Sequence, residues 1–260
     1  MGSRRNPKAT LGQLSASTPC RIASGPIAVW TMAASAPLIV FDLDGTLVDT
    51  APDLITALNH VLAREGLPAV PLASARNMIG AGARKLIERG LEVEGRAVTV
   101  DDLNRMTADF IEFYAAHIAD ASRPFEGLEA ALDDLTSRGY ALAVCTNKLE
   151  WLSRRLLDTL GLSSRFAAIC GADTFGVSKP DPAILRQTVA KAGGAVGSSI
   201  MVGDSGNDIG VARRAGMPVI AVSFGYTDVP IAEFQPDRLI HHMRDLPGAV
   251  GDLSAVPGSS

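Results

Sequence analysis

Leu38-Ile39-Val40-Phe41-Asp42-Leu43-Asp44-Gly45-Thr46-Leu47-Val48-Asp49-Thr50 sets four apolar residues directly before two carboxylates separated by one residue. A run that is apolar along its whole length, rather than alternating, is the pattern of a strand buried on both faces of a parallel sheet. Carboxylates just past the C-terminal end of such a strand stand where open α/β sheets bind their ligands.

Working outward, apolar runs of the same kind recur at 141–145, 167–170, 200–202 and 219–222, separated by helical patterns. Strands alternating with helices predict a doubly wound α/β fold, a parallel sheet with helices on both faces. The first two runs are far apart, and no convincing strand lies between them. Leu54, Ile55, Leu58, Val61 and Leu62 recur there at helical spacing, as do Leu103, Met106, Phe110 and Phe113, so a small all-helical domain is expected as an insert. Thr50 and Asp53 suggest a capping box for its first helix, with Pro52 tolerated in the first turn. After Gly127, Leu128, Leu132 and Leu135 mark one face of a helix that stops at Gly139. The expected organisation is a core of 37–52 and 124–248, an insert of 53–123, an N-terminal extension of 1–36 and a C-terminal tail of 249–260.

The chain has 260 residues, 47% hydrophobic and 20% charged, with 24 basic against 28 acidic side chains and a net charge of -4. Without a basic stripe to displace counterions, a duplex nucleic-acid partner is not expected. A small anionic substrate needs only one local cationic site and remains compatible. Cys20, Cys145 and Cys170 are odd in number and without CxxC spacing, which argues against a disulfide framework or zinc site and fits the reducing cytoplasm. The uncharged stretch from Ile22 to Phe41 follows Arg4, Arg5, Lys8 and Arg21 and imitates a membrane span or a signal peptide ending at Ala34-Ser35-Ala36. Pro26 breaks its apolar middle, Pro37 follows the would-be cleavage site, and Leu38 to Phe41 are wanted as a strand. No membrane association is therefore expected. Met32 is the expected natural start and the residues before it an extension without a fold, a targeting segment being the alternative.

Three further motifs follow the first in order. Cys145-Thr146-Asn147-Lys148 ends the second strand, Lys179-Pro180-Asp181-Pro182 opens a helix, and Gly203-Asp204-Ser205-Gly206-Asn207-Asp208 follows the 200–202 strand. Taken together, the four motifs resemble the signatures of the haloacid dehalogenase (HAD) superfamily, with its Rossmann-like core. The resemblance implies phosphoryl transfer. Hydrolysis of a phosphate monoester needs an acceleration of up to about 10²¹-fold, and an aspartyl phosphate divides the reaction into two easier steps. By resemblance Asp42 is the nucleophile, and Asp44 the acid and base that protonates the leaving oxygen and then activates water. Mg²⁺ is the implied cofactor, held by Asp42, the backbone carbonyl of Asp44 and Asp204, with Asp208 ordering its outer shell. Thr146 and Asn147 would donate to phosphoryl oxygens, and Lys179 would neutralise charge and restrain Asp42. Singly, most of these residues would pass as turn, cap or solvated side chains; the joint pattern favours catalysis.

An insert between the first two motifs resembles the superfamily branch whose helical cap closes over the site and excludes water. Ile79-Gly80-Ala81-Gly82-Ala83-Arg84-Lys85 is similar to that branch's substrate loop, with Gly80 and Gly82 permitting close backbone approach and Arg84 a candidate partner for a substrate carboxylate. A plain helix connection with solvated Arg84 and Lys85 is the other reading. Pro124-Phe125-Glu126-Gly127, Gly171-Ala172-Asp173 and Phe224-Gly225-Tyr226 add to the likeness, although Glu126 and Ala172 depart from the commoner Pro and Gly. The implied reaction is Mg²⁺-dependent hydrolysis of a small phosphorylated metabolite, 2-phosphoglycolate first, by a monomer or homodimer. Alternatives are another phosphate or pyrophosphate substrate, or a sugar phosphomutase on the same core; dehalogenation suits these carboxylates poorly. His60, His117, His241 and His242 form no triad or metal spacing, Asp49 is expected to cap the insert helix, Cys145 to be a small buried hydrophobe, and Phe113, Tyr114 and Trp151 to be core residues.

Overall fold

The computed structural model of the chain describes residues 36–227 and 229–254. The expectations for the start of the chain, including Cys20 and the targeting alternative, lie outside these residues. In chain order the elements are β1 (Leu38–Phe41), β2 (Val48–Asp49), α1 (Ala51–Arg64), α2 (Leu72–Ala75), α3 (Ala83–Val93), α4 (Val100–Ala116), β3 (Arg123–Pro124), α5 (Leu128–Ser137) and β4 (Ala141–Cys145). They continue as α6 (Glu150–Thr159), β5 (Ala168–Cys170), α7 (Pro182–Lys191), β6 (Ser199–Gly203), α8 (Gly206–Ala215), β7 (Val219–Val222), β8 (Arg238–Ile240) and α9 (Leu246–Ser254).

Six parallel strands form one sheet in the order β5-β4-β1-β6-β7-β8, with β1 between β4 and β6. Successive strand residues point to opposite faces, and the burial follows that rule. Ile39, Phe41, Leu142, Val144, Val202 and Ile220 join a cluster with Leu132 and Leu135 of α5 and Val250 of α9. Leu38, Val40, Ala143, Met201, Val219 and Ala221 join a second cluster with Ile184 and Leu185 of α7 and Ile209 and Ala212 of α8. Helices thus cover both faces, which is why the strands read as continuous apolar runs. The third strand starts at Ala168 rather than 167, and β8 was not foreseen. Three residues beginning with an exposed Arg238 carry little strand signal, and a short charged strand is how a sheet edge is kept from pairing further.

Between β2 and β3 lie helices α1 to α4, built on Leu58, Leu62, Ile87, Met106 and Phe110, all buried. β2 and β3 pair antiparallel, Val48 with Pro124 and Asp49 with Arg123, so the outgoing and returning chains leave the sheet side by side. Asp53 does not cap α1, as a capping box requires. Its carboxylate instead accepts from Ala121 N at 3.0 Å, Ser122 N at 2.7 Å and Ser122 Oγ at 2.6 Å, tying the outgoing chain to the returning one. Thr50 makes no cap bond either; its hydroxyl donates to Asp44. The tail expected from residue 249 is helical as far as Ser254, with Ala249 and Val250 buried. No helix among the described residues is long and apolar enough to cross a membrane.

Candidate active site

Three strands of the sheet deliver their polar termini to one place. Asp42 follows β1, Thr146 follows β4 and Asp204 follows β6; Asp208 sits in the first turn of α8, and Lys179 precedes α7. Oxygens of Asp42, Asp204 and Asp208 lie within 4.8 Å of one another, and all three residues are buried. Lys179 Nζ is 2.9 Å from Asp42 Oδ1 and 2.6 Å from Asp208 Oδ1. Asp208 is also the N3 partner of a capping box in which Ser205 N donates to its Oδ2 at 3.0 Å, and Ser205 Oγ lies 2.6 Å from the same oxygen, so the helix start fixes this carboxylate. Asp204 accepts from Thr46 Oγ1 at 3.0 Å and from Tyr226 N at 2.6 Å.

Burial lifts the Asp42 carboxyl from its ordinary 3.8 to about 7; Lys179 opposes the rise and Asp208 adds to it. Burial, and then the negative neighbours Asp208 and Asp42, raise Asp204 as well. Three carboxylates against one ammonium leave an excess of two negative charges when all are ionised. That deficit and the all-oxygen donor set fit a hard divalent cation.

Asp44 is held apart from this cluster. Its Oδ1 accepts from Thr50 Oγ1 at 2.7 Å, and Lys148 Nζ donates to Oδ1 at 2.9 Å and Oδ2 at 3.1 Å. Two carboxylates two residues apart therefore have separate partners, Lys179 for Asp42 and Lys148 for Asp44. Lys148 is buried, and its ammonium lies 4.6 Å from the ring centroid of Tyr114, on α4. The sequence offered Lys148 only as the last residue of a motif, since a lysine is ordinarily solvated. What could have marked it is its position two residues past a buried strand end.

Thr146 is buried, and its Oγ1 accepts from Lys148 N at 3.2 Å. Asn147, expected to face phosphoryl oxygens, is engaged with backbone: Nδ2 donates to the carbonyls of Gly80 and Lys179, both at 3.2 Å, and Oδ1 accepts from Lys179 N at 2.9 Å. It staples the cap loop to the segment that carries Lys179. Gly80 and Gly82 have φ of 111° and 86°, which a side chain would strain. At Gly82 a Cβ would also come within 3.3 Å of Asn147 O, whereas at Gly80 it would meet open space. Close approach thus accounts for Gly82, and backbone conformation alone for Gly80. Arg84 borders the adjoining cavity, but its guanidinium turns to Asn104 Oδ1 at 2.6 Å and Glu88 at 3.6 Å and is half-exposed. Lys85 pairs with Glu88 at 3.0 Å.

Arg76 was not anticipated, and Tyr226 only as the end of a motif without a role. Tyr226 Oη donates to Asp49 Oδ1 at 2.5 Å and accepts from Ala51 N at 2.9 Å, while Arg76 of the cap pairs with Asp49 Oδ2 at 2.9 Å. Asp49 is thus a junction between core and cap rather than a helix cap. Cys145 is free and buried. Trp151 is 45% exposed, contrary to the core placement expected; Phe113 is only partly buried, between His60 and His117.

A cavity of about 240 Å³ opens between cap and core, bordered by Asp42, Asp44, Tyr114, Thr146 and Lys148 and otherwise largely apolar. Against known proteins, the model of the haloacid dehalogenase-like hydrolase family matches residues 39–222. A phosphoglycolate phosphatase of Mesorhizobium japonicum is 48% identical over 208 residues, 80% of this chain and 92% of that protein. One from Caulobacter vibrioides is 48% identical over 81% of this chain and 89% of its own length. Among solved structures, a predicted phosphoglycolate phosphatase from Haemophilus somnus aligns with a TM-score of 0.76 at 30% identity, covering 82% of this chain and 97% of that one.

Proposed function

The chain belongs to the haloacid dehalogenase-like hydrolase family, and we propose that it is a Mg²⁺-dependent phosphatase that hydrolyses 2-phosphoglycolate to glycolate and phosphate. Asp42 and Asp204 would hold the metal, together with the Asp44 carbonyl, with Asp208 ordering its outer shell. When bound, Mg²⁺ supplies positive charge that lets an anionic nucleophile approach an anionic phosphate.

The protein's own groups do the rest. Lys179 orients the Asp42 carboxylate, whose free oxygen attacks phosphorus as the bond to the leaving oxygen breaks. The electron pair of that bond stays with the leaving oxygen, which takes a proton from Asp44. Asp44 then removes a proton from water as water attacks the aspartyl phosphate, returning Asp42 and releasing phosphate. Thr146 stands to donate to a phosphoryl oxygen, and the cap keeps bulk water from the intermediate.

The observation that carries this reading is the buried cluster of Asp42, Asp204 and Asp208 around Lys179 at the strand ends, an oxygen donor set suited to a divalent cation beside a candidate nucleophile. The names of the relatives support the substrate. The test is phosphate release from a panel of phosphorylated metabolites with and without Mg²⁺, for wild type and Asp42→Asn. A Mg²⁺-dependent preference for 2-phosphoglycolate that Asp42→Asn abolishes is the expected result. Equal release from unrelated esters would refute the substrate, and an isomerised sugar phosphate without release would refute hydrolysis.

A further inference from the structure

The Tyr114 hydroxyl is buried and, among the described residues, has no hydrogen-bond partner. An unmet buried hydroxyl costs about 1–3 kcal/mol, so one that a native protein keeps calls for a partner from outside the chain, such as a water, an ion or a ligand. This hydroxyl belongs to the cap, and the residue borders the cavity that Asp42 and Asp44 also line. Beside it is Lys148, from the core, with its ammonium over the same ring. An ammonium has three N–H donors. Both hydrogen bonds of Lys148 Nζ to described residues go to Asp44. Asp44 leaves the third N–H unused, and the Tyr114 side chain lies beside the same ammonium at the border of the cavity.

Among the described residues two cations border this cavity, Lys148 and Arg84, and Arg84 is engaged by Asn104 and Glu88. We propose that Lys148 and Tyr114, not Arg84, form the receptor for the carboxylate of the leaving group and so determine which ester the enzyme accepts. The inference rests on the phosphatase reading above and adds the residues that select the substrate. Its geometry follows from connectivity. Asp44 must touch the bridging oxygen to protonate it, and in 2-phosphoglycolate the carboxylate is one methylene beyond that oxygen. A group one methylene beyond the atom that Asp44 touches is within reach of the ammonium that Asp44 touches. In a cavity otherwise largely apolar, a carboxylate is costly unless it meets a cation and a second donor. Because the hydroxyl comes from the cap and the ammonium from the core, both are in place only when the cap is closed.

The experiment compares 2-phosphoglycolate with 2-hydroxyethyl phosphate, in which CH₂OH replaces the carboxylate, for wild type, Tyr114→Phe and Lys148→Met. Tyr114→Phe removes one oxygen and keeps the ring over Lys148. Since that oxygen has no partner in the protein, the thermal midpoint should not fall. The expected result is a loss of at least tenfold in kcat/KM for 2-phosphoglycolate, mostly in KM, with 2-hydroxyethyl phosphate turnover changed less than twofold. Lys148→Met should lower both rates through Asp44, but 2-phosphoglycolate at least tenfold further. Equal losses on the two esters in both variants would make Lys148 and Tyr114 supports of Asp44 only, overturning the receptor while leaving the phosphatase reading intact. A wild type that does not prefer 2-phosphoglycolate overturns that reading and the receptor with it.

Discussion

Lys179 Nζ lies 2.9 Å from Asp42 Oδ1, with the lysine side chain 1% and the aspartate side chain 7% exposed. The same ammonium holds Asp208, whose side chain is wholly buried. Removing one member of a buried ion pair leaves an uncompensated charge and costs about 3–5 kcal/mol. Lys179→Met should therefore destabilise the protein by that order in urea titrations. It should also lower kcat by about 10²–10³, the usual loss for one preorganised electrostatic group. A variant of wild-type stability and rate would show that this pair organises nothing.

The raised Asp42 carboxyl carries a pH signature in protein stripped of divalent cations. Between its ordinary 3.8 and about 7, the folded state retains a proton that the unfolded state releases. Folded protein then binds more protons than unfolded, so this group makes stability fall as pH rises through that window. Below the unfolded value both states are protonated and the contribution is constant. Saturating Mg²⁺, which needs the ionised carboxylate, should remove the slope. Urea midpoints across the window, wild type minus Asp42→Asn, with EDTA and with Mg²⁺, check this. The expected difference slopes downward in EDTA and is flat in Mg²⁺; identical profiles in the two would count against the site.

Much of this was legible in the sequence because strands buried on both faces must be apolar throughout, as β1, β4 and β7 are. The carboxylates could be read for a related reason: a parallel sheet brings its strand ends together, so Asp42 and Asp204, far apart in sequence, had to be neighbours. Partners that depend on where the cap lies against the core were not legible. Asp53 looked like a helix cap, since Thr50 precedes it by the right spacing, but the returning chain offers three donors at once. Arg84 looked like a substrate cation until Asn104 and Glu88 came within reach. Lys148 was legible only as the last residue of a motif, and its burial against Tyr114 depends on where α4 lies.

Asp53 yields a prediction that concerns stability and not chemistry. Its carboxylate satisfies Ala121 N, Ser122 N and Ser122 Oγ where the chain returns from cap to core. Asp53→Ala orphans these donors, each worth about 1–3 kcal/mol if left unsatisfied, with water recovering part of the loss. A fall of about 2–4 kcal/mol in unfolding free energy is expected on that basis. The kcat on 2-phosphoglycolate should stay within a few-fold of wild type below the melting transition. An Asp53→Ala protein as stable as wild type would mean that these bonds do not hold the junction.

The central claim is that Asp42 becomes phosphorylated and Asp44 serves both halves of the reaction. p-Nitrophenyl phosphate separates the halves, since its leaving group departs without needing a proton, whereas hydrolysis of the intermediate still needs a base. Asp44→Asn with this ester and Mg²⁺, mixed rapidly, should give a burst of p-nitrophenolate equal to the enzyme present, followed by a slow phase. Borohydride reduction of the quenched protein should convert the aspartyl phosphate to homoserine at position 42, located by peptide mass mapping. A linear trace at an undiminished rate, with Asp42 unmodified, would contradict the account.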